Sequence, residues 1–597
     1  MRVQHSKDME LMANKLRIAS LTSTTAAGSG HPTSCLSCAE IMSTLFFSVL
    51  GPEDEFILSK GHAAPILWAA YAEAGFIEKG ELGNLRKIES VLEGHPTPKM
   101  PLVRVATGSL GQGLSAGVGM ALAKRLQGSD ARIYVLLGDG ECAEGSVWEA
   151  ANSATYYQLS TLCAVVDVNR LGQSEPTMHQ HDLECYTRKF QAFGWDALAI
   201  DGHCVQDMIA AFEHAGRCQR PCAIIAKTIK GKGVSFLENR EGWHGRVLNR
   251  EELQEALGEI GRADVSLSTR LTPHIPRHTS PDFEVSTYRQ AEMVSTREAF
   301  GRALVKLGRK DSTVVALDAD VKNSTMTEYF FNEFPERGFQ SFIAEQNMVG
   351  MAVGFSALGF NPFVATFSTF LTRAHDFIRM AQYSLANIKF VGSHAGISIG
   401  PDGPSQMGLE DIPMFLSMPA SVILYPSDAV SAEHLVKAMA LHTGISYLRT
   451  TREKTPVIYN NSETFPLGGL KVLRRDDRDR VLVVAAGITV HEALKAYEIL
   501  KGKNILIRIV DLYSLQPFDG AALATHAQAC HGNVIAVEDH YCNALGAILS
   551  TVLRDVSCLC VREIPRSGKP EELLKRYGID ASTIVTMVEH MCSQQHV

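Results

Sequence analysis

The chain has 597 residues, 45% of them hydrophobic and 20% charged, which is globular composition with room for roughly three to four domains. A formal net charge of -8 argues against a general nucleic-acid or anionic-membrane binder, so any anionic ligand needs a local basic cluster. There is no run of ~18 uncharged apolar residues, and thirteen scattered Cys suit reduced thiols.

The opening stretch "MRVQHSKDMELMANKLRIAS" mixes acids with bases and has no apolar h-region. It reads as an amphipathic first helix rather than a signal peptide, and the cytoplasm is the expected compartment. Cys35 and Cys38 form a C-x-x-C pair with no second pair to complete it, so neither a redox motif nor a zinc half-site is expected. "HQH" at His179–His181 reads as a polar loop.

Up to residue 265, short β-branched runs at 132–137, 162–168 and 222–227 alternate with helix-like segments. Continuous apolar runs predict strands buried on both faces of a parallel sheet. "GQGLSAG" follows no strand and lacks the G-x-G-x-x-G spacing, so it is not a dinucleotide fingerprint. Gly138-Asp139-Gly140 ends one apolar run and Asn169 ends the next. Between them Val147, Ala150, Ala151 and Ala154 recur at helical spacing. A β-α-β unit with a right-handed crossover puts both strand ends on one sheet edge, where α/β sheets bind ligands. A carboxylate, an amide oxygen and loop carbonyls there suit a hard cation that also binds phosphate oxygens, Mg²⁺ with a diphosphate or Ca²⁺.

Residues 270–292 contain three Pro and no sustained period, and read as a linker. Beyond them, strand candidates lie at 312–318, 362–367, 388–393 and 421–426, then at 480–487, 504–512 and 532–539, with a helix over 490–500. The alternation predicts an α/β fold in every block.

The motif GDG with Asn at this spacing resembles the thiamine-diphosphate signature. "DVNRLGQS" and "GSLGQGLSAGVGMA" narrow the resemblance to the transketolase family. "GSGHPTS" (28–34), "SKGHAAP" (59–65), "WHG" (243–245), "AEQNMV" (344–349), "GPDGPSQ" (400–406), "YPSD" (425–428) and "PRSGKP" (565–570) follow in that family's order, closest to its shorter animal-type form. The resemblance implies three doubly wound α/β domains, two of the thiamine-diphosphate-binding fold. They would be a diphosphate-binding domain over 1–265, a linker over 266–292, a pyrimidine-binding domain over 293–460 and a C-terminal α/β domain over 461–597.

It also implies the site. Asp139 and Asn169 would ligate the metal through side chains and Leu171 through its carbonyl, with Mg²⁺ expected and Ca²⁺ or Mn²⁺ as substitutes. Gly108, Leu110, Gly140 and Lys230 would line the thiamine diphosphate. Glu345 would supply the carboxylic acid at the pyrimidine N1′, with Phe367 and Phe370 as aromatic wall. His31, His62, His95 and His244 would handle protons at the reacting carbons. Arg297, Ser324, His394, Asp402 and Arg452 would bind the sugar phosphate. Glu144 and Glu149 match acids at a dimer interface, so a homodimer with interfacial active sites is implied, with neither nucleic acid nor membrane as partner. Gln406 stands where His is common in plant and microbial members, and Arg246 where Lys is common. The third domain would be structural, and "PRSGKP" has no assigned role.

The expected reaction is reversible transfer of a two-carbon ketol unit from a ketose phosphate such as xylulose 5-phosphate to an aldose phosphate such as ribose 5-phosphate or erythrose 4-phosphate, in the pentose phosphate pathway. The alternatives are a deoxyxylulose-phosphate synthase, against which His31, His244, His394 and Asp402 argue, a ketolase of other sugar specificity, and a catalytically altered paralogue.

Overall fold

The computed structural model describes residues 2–272 and 282–593. The chain divides into two compact units. The first takes the N-terminal part of the chain together with Val349–Gly359 and Tyr383–Leu385, and the second takes the rest. Residues 273–281 of the expected linker lie outside the described residues.

The first unit is built on five parallel strands, β1 (Glu55–Leu58), β2 (Ile133–Gly138), β3 (Leu162–Val168), β4 (Asp196–Asp201) and β5 (Cys222–Lys227), in the order β1-β2-β3-β5-β4. β2 and β3 are buried along their whole length, which is why their sequences are unbroken apolar runs. β4 is an edge strand whose residues are partly exposed, and its "DALAID" correspondingly alternates. The opening segment is a helix, Arg2–Ala27, that buries Met9, Met12, Ala13 and Leu16 in the core beneath the sheet. The helix Gly145–Tyr156 buries Val147, Ala150, Ala151 and Ala154, the apolar face of the β2-β3 crossover. Gly119, in the helix Gly113–Leu126, permits close packing on the segment Val349–Gly359. A Cβ at Gly119 would come 2.0 Å from the carbonyl oxygen of Met351, and one at Gly354 2.1 Å from that of Ala116.

The second unit holds two larger sheets and a two-stranded ribbon. The ribbon pairs β6 (Met293–Ser295) with β13 (Lys454–Pro456). The seven-stranded sheet contains β7 (Val314–Asp318), β8 (Gly338–Gln340), β9 (Asn361–Phe367), β10 (Lys389–Ser393), β11 (Val422–Leu424), β12 (Ser446–Arg449) and β17 (Ser514–Gln516), ordered β17-β11-β12-β10-β9-β7-β8. The five-stranded sheet contains β14 (Lys471–Arg474), β15 (Val481–Ala485), β16 (Ile507–Asp511), β18 (Val534–Tyr541) and β19 (Ser557–Val561), ordered β14-β16-β15-β18-β19. The α/β expectation holds, with one difference: both sheets carry an antiparallel edge strand, β17 and β14. Edge strands need not be apolar on both faces, so these two leave no continuous hydrophobic run to read.

β17 belongs to the third block in sequence but completes the sheet of the second. A buried network ties the same two blocks together. Ser427 and Tyr459 hydroxyls each donate to Asp511 at 2.6 Å, and His491 Nε2 lies 2.7 Å from the carbonyl of Ser427. Residues after the undescribed stretch also pack on this unit. Tyr288 is buried and donates its hydroxyl to Glu433 at 2.7 Å. No helix among the described residues is long and apolar enough to cross a membrane.

Candidate active site

In the first unit, Gly138 of β2 and Asp167 of β3 are register partners, so the loops that follow emerge side by side at one sheet edge. They line a cavity of about 480 Å³, in the size range of small-molecule sites. Asp139, Gly140, Asn169 and Leu171 all line it, with Gly108, Leu110, Lys230 and the histidines 31, 62, 95 and 244.

Asp139 is buried and held rigidly. Its Oδ1 accepts from the Gly140 amide at 2.9 Å, and its Oδ2 accepts from the Arg170 amide at 2.7 Å and the Thr177 hydroxyl at 2.9 Å. Burial, and then the negative charge of Asp167, push its carboxyl up to about 6. Asn169 donates its amide to Asp167 at 3.1 Å, which fixes which way its side chain points. Its Oδ1 accepts from the Leu171 amide at 3.3 Å. The Leu171 and Gly172 carbonyls accept from the Lys230 ammonium at 2.7 and 3.0 Å. A carboxylate destabilised by burial, an amide oxygen and carbonyls already drawing a cation form a hard-oxygen donor set that fits a divalent ion such as Mg²⁺.

The loop Gly108–Gly113 offers backbone at close range. Gly108 sits at φ +131°, where a Cβ would lie 2.8 Å from the His95 ring. Glu141, buried, fastens this loop to the GDG turn by accepting from Ser59 Oγ at 2.5 Å, the Gly111 amide at 2.8 Å and the Gly138 amide at 3.0 Å. Beneath lies a fully buried ion pair, Lys60 with Asp167. Ser37 donates to the same carboxylate at 2.7 Å, as does Thr228, and Lys60 also reaches the Ser34 carbonyl at 3.1 Å. Burial works against both charges, yet each holds the other ionised: Asp167 below and Lys60 above its ordinary range. Lys60, Glu141 and Asp167 are absent from the sequence-derived set. A lone acid inside the buried run "LCAVVDV" was the readable signal, because a buried charge needs a partner.

Four histidines converge. His31 lies 5.4 Å from His62, 6.1 Å from His95 and 5.1 Å from His244, centroid to centroid, and His62 lies 5.1 Å from His244. All are pulled below the ordinary imidazole value, first by burial and then by neighbouring cations. His31 falls to about 4, with Arg86 as the next cause, and His244 to about 3, with Lys230 next. His62 and His95 shift the same way, with Lys60 and Arg86 respectively as their next causes. At neutral pH the cluster is uncharged, each ring able to donate at one nitrogen and accept at the other. Lys230 itself is drawn down to about 8, by burial and then by Lys60, and its ammonium sits 2.6 Å from His244 Nδ1.

The remaining predicted residues lie in the second unit. Glu345 is buried at the start of the helix Glu345–Ala357, with Arg373 3.4 Å away. The Phe367 and Phe370 rings are parallel at 5.2 Å, and His394 stacks on Phe367 at 3.8 Å. His394 adopts φ +57° and is drawn to about 3 by burial, then by Arg297 and Arg452. Arg297 donates to the Ser324 carbonyl at 2.8 Å, and its buried Nε has no partner among the described residues. Arg452 pairs with Asp402 at 2.9 Å. Two guanidinium groups with one buried donor unpaired fit an anionic oxygen ligand. The third block is closer to this region than its sequence position suggested. A Cβ on Gly403 would meet Ser567 Oγ at 2.6 Å, so "PRSGKP" lies against the loop bearing Asp402.

Cys35 and Cys38 are buried, with thiols directed at the Ala63 and Ser34 carbonyls, and burial pushes Cys35 up to about 12. His181 bonds the Thr228 carbonyl at 2.9 Å and His179 meets Lys189 at 2.7 Å. Glu144 is exposed and Glu149 half-buried. Arg246 stacks on Trp243 at 3.8 Å and pairs with Glu252, while Gln406 ends a short 3₁₀ turn.

Residues 8–275 match the family model "Transketolase, thiamine diphosphate binding domain", 292–457 the pyrimidine binding domain and 470–584 the C-terminal domain. The chain is 46% identical to human transketolase, covering 98% of this chain and 97% of the human one. It is also 46% identical to mouse transketolase-like protein 2, over 97% and 96%. Among solved structures it resembles the transketolase from Campylobacter jejuni, with a TM-score of 0.87, 25% identity and coverage of 98% and 99%. The transketolase from Leishmania mexicana shares the fold at a TM-score of 0.86 and 21% identity, over 98% and 97%. Three family domains in one polypeptide, at high identity along almost its whole length, mean that the chain belongs to the transketolase family of thiamine-diphosphate-dependent enzymes.

Proposed function

We propose that the enzyme transfers a two-carbon ketol unit reversibly between sugar phosphates of the pentose phosphate pathway, with xylulose 5-phosphate as donor and ribose 5-phosphate or erythrose 4-phosphate as acceptor. The observation that carries this reading is the four-histidine cluster sharing one cavity with Asp139, Asn169 and Leu171. Asp139, Asn169 and the Leu171 carbonyl hold the divalent ion, Mg²⁺ first. The Gly108, Leu110 and Gly140 backbones and Lys230 hold the diphosphate, where unhindered amides and one ammonium satisfy anionic oxygens. When bound, thiamine diphosphate supplies the carbon nucleophile and the electron sink for cleavage next to a carbonyl.

The chain's own residues do the rest. Glu345, protected from solvent, would supply the carboxylic acid at the pyrimidine N1′, and Phe367 and Phe370 would form the aromatic wall for that ring. His31, His62, His95 and His244 hydrogen-bond the sugar's carbonyl and first hydroxyls and accept a hydroxyl proton as the carbon–carbon bond breaks. Arg297, Ser324, Arg452 and His394 grip the phosphate, with His394 and Asp402 reading the hydroxyls before it. The full set is retained, which supports an active enzyme over a catalytically altered paralogue. We further propose a cytoplasmic homodimer in which each site draws its metal-binding half and its Glu345 half from different subunits, as the family resemblance implies. The diphosphate-binding, pyrimidine-binding and C-terminal domains are taken as 1–265, 293–460 and 461–597, joined by 266–292.

The test is turnover of xylulose 5-phosphate with ribose 5-phosphate, with and without thiamine diphosphate and Mg²⁺. Turnover that requires both is expected. Calorimetry showing no metal-dependent cofactor binding would overturn the reading.

A further inference from the structure

The edge of the first sheet opposite the cofactor cavity carries its own convergence of metal-ligating side chains. Asp196, Cys222 and Cys163 stand in register across the starts of β4, β5 and β3, so they form one row on the sheet. The helix Val205–Ala215 ends directly over this row, with His214 in its last turn and Cys218 just beyond it. Arg132 pins that end by donating to the Ala215 and Gly216 carbonyls at 2.9 and 2.6 Å. The Asp196 amide is fixed by the Pro221 carbonyl at 2.9 Å.

Three different donor atoms meet there. Asp196 Oδ2 lies 3.2 Å from His214 Nε2 and 3.3 Å from Cys218 Sγ, and one ligand atom from each of the three residues lies within 4.8 Å of both others. In a tetrahedral zinc site, ligand bonds of about 2.0–2.3 Å separate the ligand atoms by roughly 3.3–3.8 Å. Two of the three edges are already near that size. Nitrogen, thiol sulfur and a carboxylate oxygen together select a borderline transition metal over Mg²⁺ or Ca²⁺, which take oxygen. His214 is half exposed, which gives an ion a way in and leaves a fourth position for water. Cys218 is buried at the floor, beside Cys222.

We propose that Asp196, His214 and Cys218 form a binding site for a borderline divalent transition metal, Zn²⁺ foremost, on the edge of the sheet opposite the cofactor. The bound ion fastens the end of the helix Val205–Ala215 to the start of β4. It plays no part in turnover, because every residue assigned to the first unit's active site lies beyond the other ends of the strands.

Co²⁺ is the probe, added to holoenzyme saturated with thiamine diphosphate and Mg²⁺. One Co²⁺ per chain should give the near-ultraviolet thiolate band and the visible bands of a tetrahedral ion, both removed by Zn²⁺. Cys218→Ser should lose the thiolate band. His214→Gln, at an exposed position that does not threaten folding, should weaken binding at least tenfold. Cys542→Ser, at an exposed thiol elsewhere, should change neither, and ketol transfer by all three variants should match the parent. A parent enzyme without the thiolate band, a band that survives Cys218→Ser, or unchanged affinity in His214→Gln would overturn the site.

Discussion

The Lys230 ammonium stands 2.7 Å from the carbonyl oxygen of Leu171 and 2.6 Å from Nδ1 of His244, bridging the loop expected to bind metal and the histidine cluster. Burial, and then Lys60, draw it down to about 8, so it is charged below that pH and loses its charge above it. An ammonium that contacts diphosphate is worth about 1.5–3 kcal/mol as a charge-assisted bond. Lys230→Met should therefore weaken thiamine diphosphate by roughly 10- to 100-fold at pH 7. In the parent, affinity should fall as pH rises through 8, and the variant should lack that decline. Titration of cofactor by calorimetry at fixed Mg²⁺ from pH 6.5 to 9 reads both.

Asp139 shows an opposition between function and stability. Its folded value, about 6, is above the ordinary 3.8. A raised carboxyl means that the folded state holds the proton more tightly than the unfolded chain. Its ionisation thus costs stability that is regained as pH falls from about 6 toward 4. Asp139→Asn removes that cost, on the order of 1–3 kcal/mol, while removing the only carboxylate in the proposed metal-binding set. The variant should melt higher than the parent without cofactor and should lose the Mg²⁺-dependent rise in melting temperature on adding thiamine diphosphate. Differential scanning fluorimetry with and without both ligands decides it. A parent whose cofactor affinity does not drop below pH 6 would also contradict the assignment.

The buried pair Lys60–Asp167 predicts a third outcome. Removing one member leaves the other charge buried without a partner, which costs about 3–5 kcal/mol. Lys60→Met and Asp167→Asn should each lower the denaturant midpoint strongly. The double variant should be less destabilised than the sum, because the second change removes the charge that the first left stranded. Equilibrium urea unfolding of the four proteins measures the coupling, and strict additivity would show that the pair is not coupled.

The proposed sharing of each site between two subunits can be tested by mixing inactive variants. Asp139→Ala and Glu345→Gln should each be inactive alone. If the two halves of a site come from different subunits, a mixed dimer has one doubly damaged site and one intact site. Statistical mixing then restores about a quarter of parental activity, as half the dimers are mixed and half their sites intact. If both halves come from one chain, mixing restores nothing.

What could be read beforehand follows from burial. β2 and β3 were legible nearly to the residue because strands covered on both faces have unbroken apolar runs, and Asp139 and Asn169 stand where those runs end. β14 and β17 were not, since short edge strands can stay partly polar and still pair. The four clustered histidines are legible only through family motifs, because a histidine in a glycine-rich loop has no periodicity to betray it. Asp167 and Lys60 are illegible for the converse reason. Their type is visible, but their partnership spans 107 positions and is made by the fold alone. "PRSGKP" needed the same kind of information, since its neighbour Gly403 lies more than a hundred residues earlier.

Arg86 yields the last prediction. It occupies a left-handed turn, φ +62°, and its guanidinium donates to Ser29 Oγ at 2.5 Å and reaches the Gly94 carbonyl at 3.5 Å. Ser29 precedes His31 by two residues and Gly94 immediately precedes His95, so one side chain clamps both histidine-bearing loops. Gly94 is needed for the clamp, because a Cβ there would lie 2.9 Å from Arg86 Nε. The same cation is the second cause, after burial, of the low His31 value near 4. Arg86→Met removes both clamp and charge. His31 should then rise toward its ordinary value, and if the neutral ring is the working form, as proposed, the acid limb of the kcat/KM profile should move to higher pH. Arg86→Lys keeps the charge but cannot span both loops, as a single ammonium lacks the planar fork. It should leave the acid limb in place and lower kcat/KM through geometry alone. Identical profiles for parent and Arg86→Met would show that Arg86 does not act through His31.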